Sequence, residues 1–467
     1  MNSAQGKYWQ MLILTIVGAC LLPGCHHGSS SSTPAVPVYQ LSVSVSGLAG
    51  SGLVLTNNGL DNLTVTASGT STFSAEIADF TTYSVGILTQ PTAPVQICNV
   101  IDGTGLVDGA TVIVSVSCGT VGTALGRFAY AVNSTAGTLS GYTIDATTGA
   151  LTALRGSPAT VRGSSALQQA LIDPSGSFLY VVDSGANGIF AYQINQSTGS
   201  GQLITGSPFA TGKAPVSLTF DYTGTYLYVA NNTDSTISGY SVAVATGALT
   251  PIAGSPFAIS GTNPGPRQII AAGAYLFAVN SNTSSVDVFS IVQGTGALTE
   301  VGNGSPYATD TGPHSLAIDP TGRVLYTANL GPAGAGSISA FTLDLSSGML
   351  TPVAGNPLPI PVLNNITVDS KSRFLFVTEA AGVAVYPIIN TATGVLDPTP
   401  VSGSPFATGT NPYSVTVDVS DVLVYVANQG SGNVSAFVFT PDTGGGLFPV
   451  AGSPVTSGAG TEYVQIQ

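Results

Sequence analysis

Beyond residue 126 the chain alternates short apolar runs with turn-forming clusters, and the pattern returns every 48 to 50 residues. Seven units superpose, starting at Arg127, Ser177, Thr225, Ala274, Arg323, Arg373 and Val422. Three places into each stands an aromatic: Tyr130, Tyr180, Tyr228, Phe277, Tyr326, Phe376 and Tyr425. A second recurs at Tyr142, Tyr192, Tyr240, Phe289, Phe341, Tyr386 and Phe437. A Thr-Gly or Ser-Gly turn follows, as in Thr246-Gly247-Ala248-Leu249. Most units close on Gly-Ser-Pro, as in Gly254-Ser255-Pro256-Phe257. Recurrence in register on this scale marks a repeat architecture.

One boundary shows the four strands that each unit predicts, from inside outward: 314–318, 324–328, 337–341 and 350–353. Asp319-Pro320-Thr321-Gly322 joins the first two with the chemistry of a type I turn. Four strands at this period make one propeller blade. A lone sheet would expose two apolar faces, so blades must stack around an axis with aromatics between them. The first unit lacks an inner strand, and the terminal run Glu462–Gln467 aligns with one. The expectation is an all-β chain with a seven-bladed β-propeller over 127–467, closed by the C-terminal strand.

From 39 to 119 the period is two instead, in runs such as 40–45, 63–67 and 111–116. Asn57-Asn58-Gly59 and Asp102-Gly103 punctuate them as turns. This predicts a small antiparallel β-sandwich, joined to the propeller by a linker at 120–126. It resembles the Ig-like modules that precede propellers in bacterial envelope proteins, where a spacer role is expected.

Composition narrows the reading. The chain has 58 glycines, 29 prolines and only 7% charged residues, which argues against a helical bundle. Hydrophobic residues make up 43%, which excludes a disordered protein. Nine basic residues against 22 acidic ones give a net charge of −13, so a nucleic-acid partner is excluded. Residues 1–25 read as an export signal: Lys7 precedes an apolar run, Met11 to Leu22, too short to span a bilayer. It ends in Leu22-Pro23-Gly24-Cys25, which resembles the bacterial lipobox, with Cys25 as the lipidated residue. Val17-Gly18-Ala19-Cys20 is a second candidate, and an uncleaved anchor or plain secretion signal is the alternative. Cys25 is preferred because a polar tether, 26–38, follows at once. Of the four cysteines, Cys98 and Cys118 then remain as a disulfide pair. His26 and His27 read as solvated tether. No Cys/His cluster or dense carboxylate loop predicts a metal, and no cofactor is expected.

The Tyr-Val-x-Asn strand, as in Tyr228-Val229-Ala230-Asn231, the Asp-Pro-x-Gly turn and the near-50 period resemble the lactonase-like seven-bladed propellers. That family includes 6-phosphogluconolactonase and carboxymuconate cyclase relatives and the YVTN-repeat proteins. The resemblance covers Arg127 to Gln467. The sole tryptophan is Trp9, so the Trp-Asp signature of other propellers is absent.

Inner strands running the same way gather their first residues at one channel mouth: Gln168, Val216, Arg267, His314, Asn364, Tyr413 and Glu462. The ends of the second strands form another ring: Asn133, Asp183, Asn231, Asn280, Asn329, Glu379 and Asn428. Asparagine there serves the following turn, and Glu379 is the exception. A lactonase needs an electrostatic partner for the developing oxyanion and a base for water. Arg267 suits the first role and His314 the second, with Glu379 and Glu462 on the same rim as candidate carboxylates. Arg155, Arg162 and Lys213 would attract an anion on that side, while Arg127, Arg323 and Arg373 read as solvated caps opposite. The family's enzymes show Gly-Pro-Arg-His where this chain has Gly265-Pro266-Arg267-Gln268, and Asn-Glu where it has Glu379-Ala380. The expectation is therefore a lipid-anchored envelope protein, monomeric, that binds a small ligand or an envelope protein at the channel mouth. The alternative is a lactone hydrolase acting on an extracytoplasmic substrate.

Overall fold

The computed structural model describes residues 37–467 apart from 90, 92–95, 102, 121–127, 147, 162, 165, 303, 333–334 and 362–363. The lipobox, Cys25, Arg127 and Arg162 therefore lie outside the described residues. The chain divides into two compact units between Thr123 and Ala124. Strands dominate both, and no helix among the described residues is long and apolar enough to cross a membrane.

The first unit holds two four-stranded sheets. One runs Gly69–Thr72, Leu41–Ser46, Val112–Thr120, Gln96–Ile101, and the other Asp61–Val65, Leu53–Asn57, Thr82–Thr89, Thr104–Leu106. The period-two runs send Leu41, Val43 and Val45 from one sheet, and Leu53, Leu55 and Val65 from the other, into a single apolar cluster. Asn58 and Gly59, both at positive φ, turn the hairpin between Leu53–Asn57 and Asp61–Val65. Cys98 and Cys118 face each other across an antiparallel pair and form a disulfide.

Among the described residues the second unit is built from seven sheets of one design, numbered here as blades 1 to 7. Blade 2 is representative: Leu167–Ile172 inside, then Phe178–Asp183, Gly188–Ile194 and Gly201–Leu203. One detail departs from the four-strand expectation. In six blades the outer edge is two short pieces that pair with opposite ends of the third strand, as Leu151–Ala153 and Ala159–Thr160 do with Thr138–Ile144. The Ser-Pro punctuation makes the break. Its serine hydroxyl accepts the third strand's central amide, for example Gly141 N to Ser157 Oγ at 2.9 Å and Gly239 N to Ser255 Oγ at 2.9 Å. A residue that ends one strand thus satisfies the amide it leaves behind.

Seven apolar clusters each draw on two neighbouring blades, and the cluster around Tyr142 and Tyr425 joins blade 1 to blade 7. In four of the five blades where the first recurrent aromatic is tyrosine it also carries a polar link, the exception being Tyr326, whose buried hydroxyl has no partner among the described residues. The phenols of Tyr130, Tyr180, Tyr228 and Tyr425 donate to the carbonyls of Gly199, Gly247, Gly296 and Gly149 in the adjoining blade, at 2.7 to 2.9 Å. Burial raises the pKa of the Tyr130, Tyr180 and Tyr228 phenols, so they remain donors. The terminal strand Thr461–Ile466 pairs antiparallel with Phe128–Asn133, so blade 1 takes its inner strand from the far end of the chain.

Candidate functional site

The inner strands start with an irregularity that decides where side chains go. Their pairing slips by one residue between Pro215 and Ser217, Pro266 and Gln268, Pro313 and Ser315, and Pro412 and Ser414. Val216, Arg267, His314 and Tyr413 are therefore bulge residues. Blade 1 slips likewise, opposite Val132 and Asn133, beside Glu462. A bulge bends the strand and re-aims the extra side chain. Asn364 differs, standing ahead of its strand, Ile366–Val368.

In blades 2 to 6 the next residue along ties one blade to the following one. Gln169 Oε1 accepts from Leu218 N at 2.9 Å, Ser217 Oγ from Ile269 N at 3.2 Å, and Gln268 Oε1 from Leu316 N at 2.8 Å. Ser315 Oγ and Asn365 Oδ1 continue the belt to Ile366 N and Val415 N. Each innermost edge would otherwise leave these amides unpaired. Gln268 is thus a tie between blades. The belt stops in blade 7, where Ser414, 2% exposed, has no hydrogen-bond partner for its hydroxyl. Tyr463 fills the corresponding place in blade 1. Gln169, Gln268, Asn365, Ser414 and Tyr463 line a cavity of ≈ 190 Å³.

Beside the cavity the structure brings four of the rim residues into one electrostatic neighbourhood. The rings of His314 and Tyr413 meet edge to face with centroids 6.3 Å apart, and Tyr413 meets Tyr463 at 5.6 Å. His314 Nδ1 lies 3.2 Å from the Asn364 carbonyl oxygen. With the proton on Nδ1 donated there, Nε2 keeps a free lone pair. Burial, and secondarily the charge of Arg267, lowers the His314 pKa and favours the neutral ring. Arg267 itself is exposed. Burial, with Glu462 adding, pushes the phenols of Tyr413 and Tyr463 up, against the pull of Arg267.

The carboxylates sit differently. Glu462 Oε1 accepts from Ser134 Oγ at 2.7 Å and Gln429 Nε2 at 2.8 Å, while its buried Oε2 has no partner. Burial raises its pKa above the usual carboxylate range. Glu379, 8% exposed, accepts from the Tyr386 hydroxyl at 2.9 Å within its own blade, and burial raises it too. Its hairpin is short, Glu379 pairing with Gly382, so the turn that the ring asparagines serve elsewhere does not exist in blade 6. Among the described residues no hydrogen bond joins His314 to Arg267, Glu379 or Glu462. The asparagines bond into their own hairpins, as Asn231 Nδ2 does to Thr236 and Ser238.

On the opposite face Arg373 is no solvated cap. It pairs with Asp369, Asp421 and Asp442 at 3.0, 3.3 and 3.0 Å. Lys213 and Arg155 are exposed. Tyr463 and Ser414 escaped the sequence reading, because strict alternation assigns only one residue per strand to the mouth; the bulge brings two.

Residues 120–263 match the family described as lactonase, 7-bladed beta-propeller. The resemblance to lactonase-like propellers is borne out. Among solved structures, a candidate 6-phosphogluconolactonase of Bacteroides fragilis aligns over 75% of this chain and 100% of its own. The TM-score is 0.62 and the identity 20%. One of the same description from Bacteroides uniformis gives 0.59 at 18% identity, covering 73% of this chain and 100% of that one. The periplasmic gluconolactonase of Pseudomonas aeruginosa gives 0.57 at 19%, covering 73% and 99%. At these identities the likeness speaks for the fold of the lactonase-like propeller. No curated protein matches the chain by sequence.

Proposed function

We propose that this lactonase-like propeller binds a small oxygen-rich ligand, a lactone or its hydroxy acid, at the channel mouth. The observation that carries the reading is the His314 imidazole, its neutral form favoured, in the field of the exposed Arg267 guanidinium and in ring contact with Tyr413, which in turn meets Tyr463 in the wall of a polar cavity. Arg267 supplies charge for a carboxylate or a polarised carbonyl, and the tyrosines supply donors and ring faces. Hydrolysis is the second reading, favoured by the free Nε2 of a neutral His314, which suits a general base near neutral pH. Binding ranks first because among the described residues no carboxylate orients that ring, and Gln268 and Ala380 break the enzyme pattern.

The finer features belong to the same proposal. The first unit is an Ig-like spacer, Cys25 carries a lipid that holds the protein at the bacterial envelope, and the terminal strand closes the ring. The test is calorimetric titration of the chain without its first 36 residues with gluconate and gluconolactone, alongside lactone turnover. Arg267→Ala should weaken gluconate binding at least about tenfold. Turnover abolished by His314→Ala would promote the hydrolase, and wild-type indifference to both compounds would remove the proposal.

A further inference from the structure

The slot between blades 1 and 2 lacks a side chain that the other slots have. After each Ser-Pro or Asn-Pro, one residue pairs with the third strand of its blade and packs into the slot beside it. Phe209, Phe257, Tyr307, Leu358, Phe406 and Val455 do this in blades 2 to 7. In blade 1 the residue is Ala159, paired with Leu139 in the register that Phe209 holds with Ile189. An added Cβ on Gly206, Gly254, Gly304 or Gly403 would meet the aromatic ring of its own blade, whereas on Gly156 it meets nothing within 4 Å.

The missing volume remains open. A cavity of ≈ 180 Å³ lies there, walled by Tyr130, Leu139, Leu154, Val161, Leu179 and Tyr192. Tyr192 is only half-buried, whereas its six counterparts are 1 to 4% exposed. Among the described residues its hydroxyl has no counterpart of the bond that Tyr142 makes to the Thr456 carbonyl of the preceding blade at 2.9 Å. Arg155 also lines this cavity, and among the described residues no carboxylate pairs with it. Arg155 is exposed at the rim of this cavity, one of nine basic residues in a chain of net charge −13.

We propose that this slot is a second ligand site, which takes the ring of a small aromatic carboxylate in place of the absent side chain and its carboxylate on Arg155. Size, polarity and charge agree. An apolar cavity of about 150 Å³ holds a benzene ring, a guanidinium matches a carboxylate in geometry, and the half-buried Tyr192 offers a ring edge and a hydroxyl. The site is separate from the channel mouth and does not depend on it.

The test uses the chain with both units present and benzoate as the probe, followed by calorimetry or ligand-detected NMR. Wild type should bind benzoate saturably with a dissociation constant of about 1 mM or tighter. Ala159→Phe, which restores the side chain of blades 2, 3 and 6, should weaken that binding at least about tenfold while the protein melts no lower. Ala159→Leu, after Leu358 of blade 5, serves if the phenylalanine does not fold. Arg155→Gln should weaken benzoate about tenfold and leave benzyl alcohol within about twofold. No saturable benzoate binding, or binding equal in wild type and the filled variants, overturns the site. Equal effects of Arg155→Gln on the acid and the alcohol overturn the carboxylate assignment.

Discussion

Asp287 offers a measurement that tests the repeat reasoning directly. In blades 1, 3, 5 and 7 the ring asparagine donates to a serine on the third strand: Ser140, Ser238, Ser339 and Ser435, each at 2.9 Å. Blade 4 has Asp287 in that register, 1% exposed, bonded by Asn280 and facing Glu300. Burial first, and then Glu300, pushes Asp287 from the ordinary 3.8 up to about 7. An acid raised on folding gives up its proton more readily in the unfolded chain. Stability is therefore highest below the unfolded pKa and falls as pH rises toward the folded one. With those two values the linkage relation gives a loss of roughly 2.5 kcal/mol between about pH 5 and about pH 8.

Asp287→Ser keeps an acceptor for Asn280 and removes the titration. Urea unfolding across that pH range, wild type against variant, isolates the effect because Glu379 and Glu462 titrate in both. The variant should gain stability relative to wild type as pH rises, by about 2 kcal/mol at the alkaline end over the acid end. A constant difference across the range would refute the assignment of a buried carboxyl with a raised pKa to Asp287 in blade 4.

Other consequences are as direct. Deleting residues 461–467 removes the partner of Phe128–Asn133 and the Gln467 bonds to Gly176 and Gln196. The propeller should lose upwards of about 5 kcal/mol, and a truncated chain that melts unchanged would show that the terminal strand does not close the ring. Tyr228→Phe leaves the Gly296 carbonyl without its inter-blade donor and should cost about 1 kcal/mol by denaturant midpoint. Replacing Cys98 and Cys118 by serine opens a loop whose ends are 20 residues apart, and the first unit should lose about 3 kcal/mol by the chain-entropy model. In the titration of the channel mouth, His314→Gln should leave gluconate binding within about threefold, because a neutral ring contributes no charge; a hundredfold loss would mean that it binds charged.

What the sequence made legible was whatever the blades share. The aromatic positions and the turn glycines recur because each blade meets the same neighbours, so repetition reports them without coordinates. The rim was half legible. Arg267, His314, Tyr413 and Glu462 do gather, since all enter at the start of inner strands. Their second row stayed hidden because a bulge shifts the alternation by one, and nothing in Pro412-Tyr413-Ser414 announces a bulge. Glu379 misled for the same kind of reason: its strand is regular, but the hairpin after it is shorter, so the carboxylate turns to Tyr386 instead of the mouth. The informative positions are therefore those where one blade departs from the consensus. Asp287 in place of serine, Ala159 in place of a large apolar residue and Ser414 without its inter-blade partner each leave a charge, a volume or a hydroxyl that the shared architecture has no use for. Repetition explains the stability of the wheel, and function has to be sought where repetition fails.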